Sequence, residues 1–159
     1  MEILLRNPAK TRKVSLRRLK QTARKTLEVL GGSDNWELSI VLVKDEEIRR
    51  LNKTYRHIDE STDVLSFPLQ ETSSPGSFKK SPGSSLLFPL GDVVISVDTA
   101  DRQARIHGHS LGDEMDMLLV HGILHLMGYD HEKKEDAEQM MQMEARILKS
   151  KEGLIKKGL

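Results

Sequence analysis

Eleven residues, His121-Gly122-Ile123-Leu124-His125-Leu126-Met127-Gly128-Tyr129-Asp130-His131, restrict this chain more than any other stretch. His121 and His125 are four apart, so on a helix they share one side, one turn from each other. Gly128 stands where a helix end needs a residue that tolerates positive φ. A reversal there returns the chain, and with it His131, toward the other two. Three neutral nitrogens with one position left open form the donor set of a catalytic zinc site. A lone histidine is usually a satisfied helix residue, but three at this spacing around a glycine break are better explained by a metal. The predicted ligands are therefore His121, His125 and His131, with His121 counted among the catalytic residues. The chain has no cysteine, so disulfides, Cys-based zinc fingers, iron–sulfur clusters and thiol catalysis are excluded.

The spacing matches the metzincin protease pattern HExxHxxGxxH at every fixed position but one. Where that pattern has Glu, the general base of peptide hydrolysis, this chain has Gly122. A glycine inside a helix costs about 1 kcal/mol against alanine, so it asks for a reason. Room beside the metal for a bulky substrate is one reason, and close packing of the helix on a sheet is the other.

The chain has 159 residues, 37% of them hydrophobic, which suits one domain with one core. The pattern predicts strands over 2–6, 36–43, 62–67 and 91–97. Helices are predicted over 15–30, from Asp45 to about Tyr55, after Asp98, over 113–127 and over 133–149. Helices between early strands allow parallel pairing, and the strands flanking residues 70–85 favour an antiparallel pair. The expected fold is a single α+β domain over 1–159: a mixed sheet of about four strands, about five helices, and a zincin-like metal helix. Residues 70–85, with seven Ser or Thr and two Pro-Gly pairs, read as a mobile surface loop. Met115, Met127, Met140, Met141 and Met143 are expected to pack between helices.

Net charge is +1, but residues 1–30 hold nine basic and two acidic residues, so the rest of the chain is acidic. That segment is either a solvated helix face or a surface for a polyanion. Residues 1–8 lack the apolar run of about 7–15 residues of a secretory signal, and no stretch approaches the roughly 18 of a membrane span. The expectation is a cytoplasmic chain.

Three further blocks accompany HGILHLMGYDH. They are Leu51-Asn52-Lys53-Thr54-Tyr55-Arg56 with Asp59, Thr62-Asp63-Val64-Leu65-Ser66-Phe67-Pro68, and Leu90-Gly91-Asp92-Val93-Val94-Ile95-Ser96. Together, and with Glu114 seven residues before His121, they resemble the YbeY family of metal-dependent endoribonucleases over about residues 36–148. The resemblance implies zinc-dependent cleavage of single-stranded RNA in ribosomal RNA processing (small-subunit rRNA maturation) and ribosome quality control. It implies RNA or the ribosome as partner, with neither DNA nor membrane. It also implies Arg56 as the catalytic arginine, a natural stabiliser of charge on phosphoryl oxygens.

The chain departs from the family at Ser61, where a Pro is common, at His57, where a Gly is common, and in its longer loop at 70–85. Asp130 either orients a ligand imidazole or shapes the turn. Thr62 and Asp63 are better assigned to loop structure than to substrate. Glu114 suits an ion pair better than a catalytic base, and His57, His107 and His109 lack ligand spacing. A metalloprotease-like hydrolase without its Glu base, and a non-catalytic ribosome-assembly factor with a structural metal, are the alternatives.

Overall fold

The computed structural model of the protein describes residues 1–79 and 86–156. Strand β1 (Glu2–Arg6) leads through helix α1 (Leu16–Val29) to strand β2 (Trp36–Val43). Helix α2 (Asp45–Arg56) and strand β3 (Val64–Pro68) follow, then the short strands β4 (Thr72–Ser74) and β5 (Ser77–Phe78). Strand β6 (Phe88–Ser96) and helices α3 (Val97–His107), α4 (Leu111–Leu126) and α5 (Lys134–Lys156) complete the order. The main sheet runs β1-β2-β6-β3, with β1, β2 and β6 parallel and β3 antiparallel to β6. This is the expected α+β architecture of a four-stranded mixed sheet and five helices.

Strand alternation sorts the core into two faces. Leu38, Ile40, Leu42, Val93 and Ile95 join the large core that α1 and α4 complete through Leu19, Ala23, Leu27, Met115, Leu119 and Ile123. Val43, Leu65 and Val94 face the other way and close over Ile48 of α2. Helix α4 is apolar nearly all round, which marks a helix surrounded by protein. Among its buried residues are Leu118, Leu119, Val120, Ile123 and Leu124. No helix among the described residues is long and apolar enough to cross a membrane.

Several predicted boundaries shift, each for a local reason. Ser96, not Asp98, caps α3, its hydroxyl accepting from the Thr99 N–H at 3.3 Å. Asp45 is the first residue of α2 rather than its cap; its carboxylate accepts from the hydroxyls of Ser96 and Thr99 at 2.7 and 2.6 Å. Strand β6 begins at Phe88 because Phe88 pairs with Trp36 in the parallel ladder.

Part of the predicted loop is ordered as the β4–β5 hairpin. It is held by Phe78, whose ring meets Trp36 and Phe88 edge-on at 5.6 and 5.1 Å, and by the Gly76 N–H on the Met127 carbonyl at 2.8 Å. Residues 80–85 lie outside the described residues. Met115, Met127 and Met140 are buried and Met143 packs against the core, but Met141 is 67% exposed on the outer side of α5.

Candidate metal centre

Helix α4 starts at Ser110, whose hydroxyl accepts from the Asp113 N–H, and carries His121 and His125 on its last turns. Their ring centroids are 4.6 Å apart and their Nε2 atoms 3.0 Å. The helix stops at Met127, and Gly128 turns the chain with φ of +90°. A side chain there would also strike Thr72, since an added Cβ would lie 2.4 Å from its hydroxyl oxygen. The Tyr129 N–H returns to the Leu124 carbonyl at 3.0 Å. This reversal brings the His131 ring to 5.1 Å from His125 and 5.9 Å from His121. One nitrogen from each of the three imidazoles lies within 4.8 Å of the others.

The donor chemistry fits a divalent metal. The Glu144 carboxylate of α5 stands 2.7 Å from Nδ1 of His121. A carboxylate only accepts, so it holds the proton of a neutral imidazole on Nδ1 and leaves the Nε2 lone pair aimed at His125. Two Nε2 atoms around one zinc, at about 2.0–2.1 Å each, stand about 3.3 Å apart in a tetrahedral site, close to the spacing found here. Burial lowers the His125 pKa below its ordinary value, and repulsion from His121 and His131 lowers it further, against a hydrogen bond to the Tyr129 backbone. The neutral form, which is the ligating form, is thereby favoured.

Arg56 ends α2 on the opposite face of the sheet and reaches round the β3 edge. Its guanidinium donates to the Ser66 carbonyl at 2.7 Å and lies 5.3 Å from the Phe67 ring centroid. Arg56, Thr62, Asp63, Ser66 and the three histidines line one cleft of about 540 Å³. The arginine is exposed, so its outer donors are open to an anion in that cleft.

Gly122 is explained by packing. An added Cβ would lie 2.6 Å from Cγ1 of Val93 and 3.2 Å from Cγ2 of Val64, so position 122 is pressed on the sheet. A glutamate in this place would not fit the space.

Other candidates resolve similarly. Asp130 shapes the turn, accepting from the N–H groups of His131 and Glu132 at 2.7 and 3.3 Å. Asp63 accepts from the Val64 N–H at 2.7 Å and from Gln103 at 3.3 Å, so it organises the start of β3. Glu114 is buried and contacts His107 and His109 instead of the cleft. His57 is the left-handed C-cap of α2, with φ of +61°, a conformation that suits the glycine common there in the family. Within the basic segment, Arg18 pairs with Asp113 and Asp116 and Lys13 with Asp101, while Arg12, Arg17, Lys20 and Arg24 are exposed.

Glu144 is the site residue that the sequence does not disclose. It lies thirteen positions after His131, and its approach to His121 depends on how α5 crosses α4.

Comparison with known proteins identifies the family. The family model described as Endoribonuclease YbeY matches residues 4–152. A protein named Endoribonuclease YbeY from Anaeromyxobacter dehalogenans is 50% identical over 139 residues, which are 87% of this chain and 65% of that protein. This chain thus spans just under two thirds of that relative's length. One of the same name from Aquifex aeolicus is 49% identical over 140 residues, 87% of this chain and 85% of that protein. The solution structure of TM1509 from Thermotoga maritima superposes with a TM-score of 0.59 at 25% identity, covering 95% of this chain and 92% of that one.

Proposed function

Because this chain belongs to the YbeY family, we propose that it is a zinc-dependent endoribonuclease that cleaves single-stranded RNA. In this reading it processes ribosomal RNA in the cytoplasm. The observation that carries the reading is the placing of one exposed guanidinium and three convergent imidazoles in a single cleft. His121, His125 and His131 would hold the metal. Zinc held by three imidazoles supplies Lewis-acid chemistry toward a phosphoryl oxygen or a water at its open position.

The chain's own groups then have separate tasks. Arg56 binds the phosphate and meets the charge that grows on its oxygens in the transition state, a role that suits a permanently charged planar donor. The Ser66 carbonyl and the Phe67 ring hold that guanidinium at the mouth of the cleft. Glu144 keeps the His121 proton on Nδ1 and fixes the ring. The chain has two Tyr, three Phe and one Trp, which leaves few surfaces for base stacking. Recognition through the backbone, with weak sequence preference, follows from that.

Peptide hydrolysis has less support, since the position of the usual Glu base is occupied by a glycine packed against Val93. The test incubates zinc-loaded protein and its His121→Ala variant with single-stranded RNA, duplex RNA and casein. Cleavage of single-stranded RNA by the wild type alone is expected. RNA left intact, or cut equally by the variant, would overturn the proposal.

A further inference from the structure

Two turns up helix α4 from His121, a second set of metal-binding side chains meets, and the cleft uses none of them. His107 is the last residue of α3, Gly108 caps that helix in the left-handed conformation, and His109 follows, so the turn sets the two rings side by side at 5.4 Å. Glu114, in the first turn of α4, brings one carboxylate oxygen to both: 3.3 Å from Nδ1 of His107 and 2.5 Å from Nε2 of His109. The ligating atoms of the three residues all lie within 4.8 Å of one another.

The burial of the acid makes this more than a surface ion pair. The Glu114 side chain is 3% exposed, against 29% for His109 and 50% for His107. Among the described residues its ion-pair partners are these two histidines, and neither Lys nor Arg stands with them. A carboxylate removed from water needs strong hydrogen-bond donors or a cation to replace its hydration. Neutral imidazoles supply N–H donors only, whereas a divalent metal held by all three groups supplies the positive charge itself.

We propose that His107, His109 and Glu114 form a second divalent-metal site, specific for zinc-class transition ions. Two imidazoles and one carboxylate are a recurrent set for such ions. The half-exposed His107 leaves the fourth position open to water. Seven residues at 1.5 Å rise separate this ion from the His121 cluster by about 10 Å, well beyond the roughly 3.5–4 Å of a two-metal catalytic pair. The second ion therefore acts as a clasp between α3 and α4 and takes no part in the chemistry of the cleft. The inference is independent of RNA cleavage.

The test counts zinc on the full chain after equilibrium dialysis at saturating free zinc. Two ions per chain are expected for the wild type, one for His107→Gln/His109→Gln and one for His125→Gln. One ion in the wild type, or two retained by the His107/His109 variant, would overturn the site. A measurement on the unaltered protein guards against a variant that folds poorly. Zinc added stepwise is followed through the histidine ring signals by NMR, and those of His107 and His109 are expected to shift along with those of the cleft histidines. If they stay in place at every zinc level, the proposal fails.

Discussion

Replacing Gly122 with alanine separates the two accounts of that glycine. The new methyl carbon would start 2.6 Å from Cγ1 of Val93, a fully buried residue in the middle of the sheet. Carbon atoms in contact prefer about 3.5–4.0 Å, so α4 or β6 has to give by about 1 Å. Val93 cannot swing aside cheaply, because a β-branched side chain has few rotamers. Overpacking a filled core costs about 1–3 kcal/mol, and alanine returns about 1 kcal/mol of helix propensity. The expected net effect is a loss of up to about 2 kcal/mol, read as a lower urea midpoint at unchanged slope.

The same displacement reaches the metal centre. The Ser66 hydroxyl donates to the Gly122 carbonyl at 2.8 Å, and the Ser66 carbonyl accepts from Arg56. Pushing α4 off β3 moves His121 relative to Arg56, so zinc affinity and RNA cleavage are expected to fall with stability. If Gly122→Ala proves more stable than the wild type, the packing account is wrong. Slower RNA cleavage with stability and zinc affinity intact would restore the alternative, room for substrate.

Arg56→Lys is expected to lower kcat/KM on single-stranded RNA by about 10²–10³-fold, the scale of losing one transition-state donor, while thermal stability stays within about 0.5 kcal/mol because the side chain is exposed. Glu144→Ala is expected to weaken zinc binding by about 10–100-fold in a competition titration, since the His121 ring loses its orienting acceptor. The lowered His125 pKa sets a pH dependence in the metal-free protein. Unfolded, that histidine takes its proton near pH 6.5; folded, it resists until lower pH. Stability should therefore begin to fall below about pH 6.5 and level off past the folded value, and His125→Gln should flatten the decline seen by urea denaturation. His57→Gly is expected to raise the unfolding free energy by about 0.5–1 kcal/mol, read as a higher urea midpoint, because the residue sits at φ of +61° with its side chain exposed.

What could be read from the sequence was local. The 121–131 spacing carries its own geometry, because a helix repeat and a glycine break need no knowledge of the rest of the chain. Strand β2 was legible to the residue, as its β-branched run is bounded by turn signals. The caps were less so: Asp45 and Asp98 are good caps by type, but Asp45 is drawn into contact with Ser96 and Thr99 across the gap between α2 and α3. Contacts between distant segments were not legible at all. Glu144 with His121, and the His107–His109–Glu114 cluster, depend on how helices cross or meet at a turn. Met141 was misplaced because α5 keeps only part of its circumference against the core.

The edge strand β3 explains how a cleft with two kinds of chemistry arises from one sheet. Alternation turns Val64 and Ser66 toward α4, and Leu65 and Phe67 toward α2. Residues one apart thus hold groups from opposite faces of the sheet: the Ser66 hydroxyl grips the helix of the histidines, and the Phe67 ring lies against the arginine. An edge strand ordinarily leaves backbone groups unpaired, a hazard for aggregation. Here the Ser66 carbonyl is used by Arg56, so the same bond covers the edge and positions the cation. A central strand has both sides of its backbone paired and could not lend a carbonyl in this way. The position of β3 at the end of the β1-β2-β6-β3 order is therefore a condition of the site.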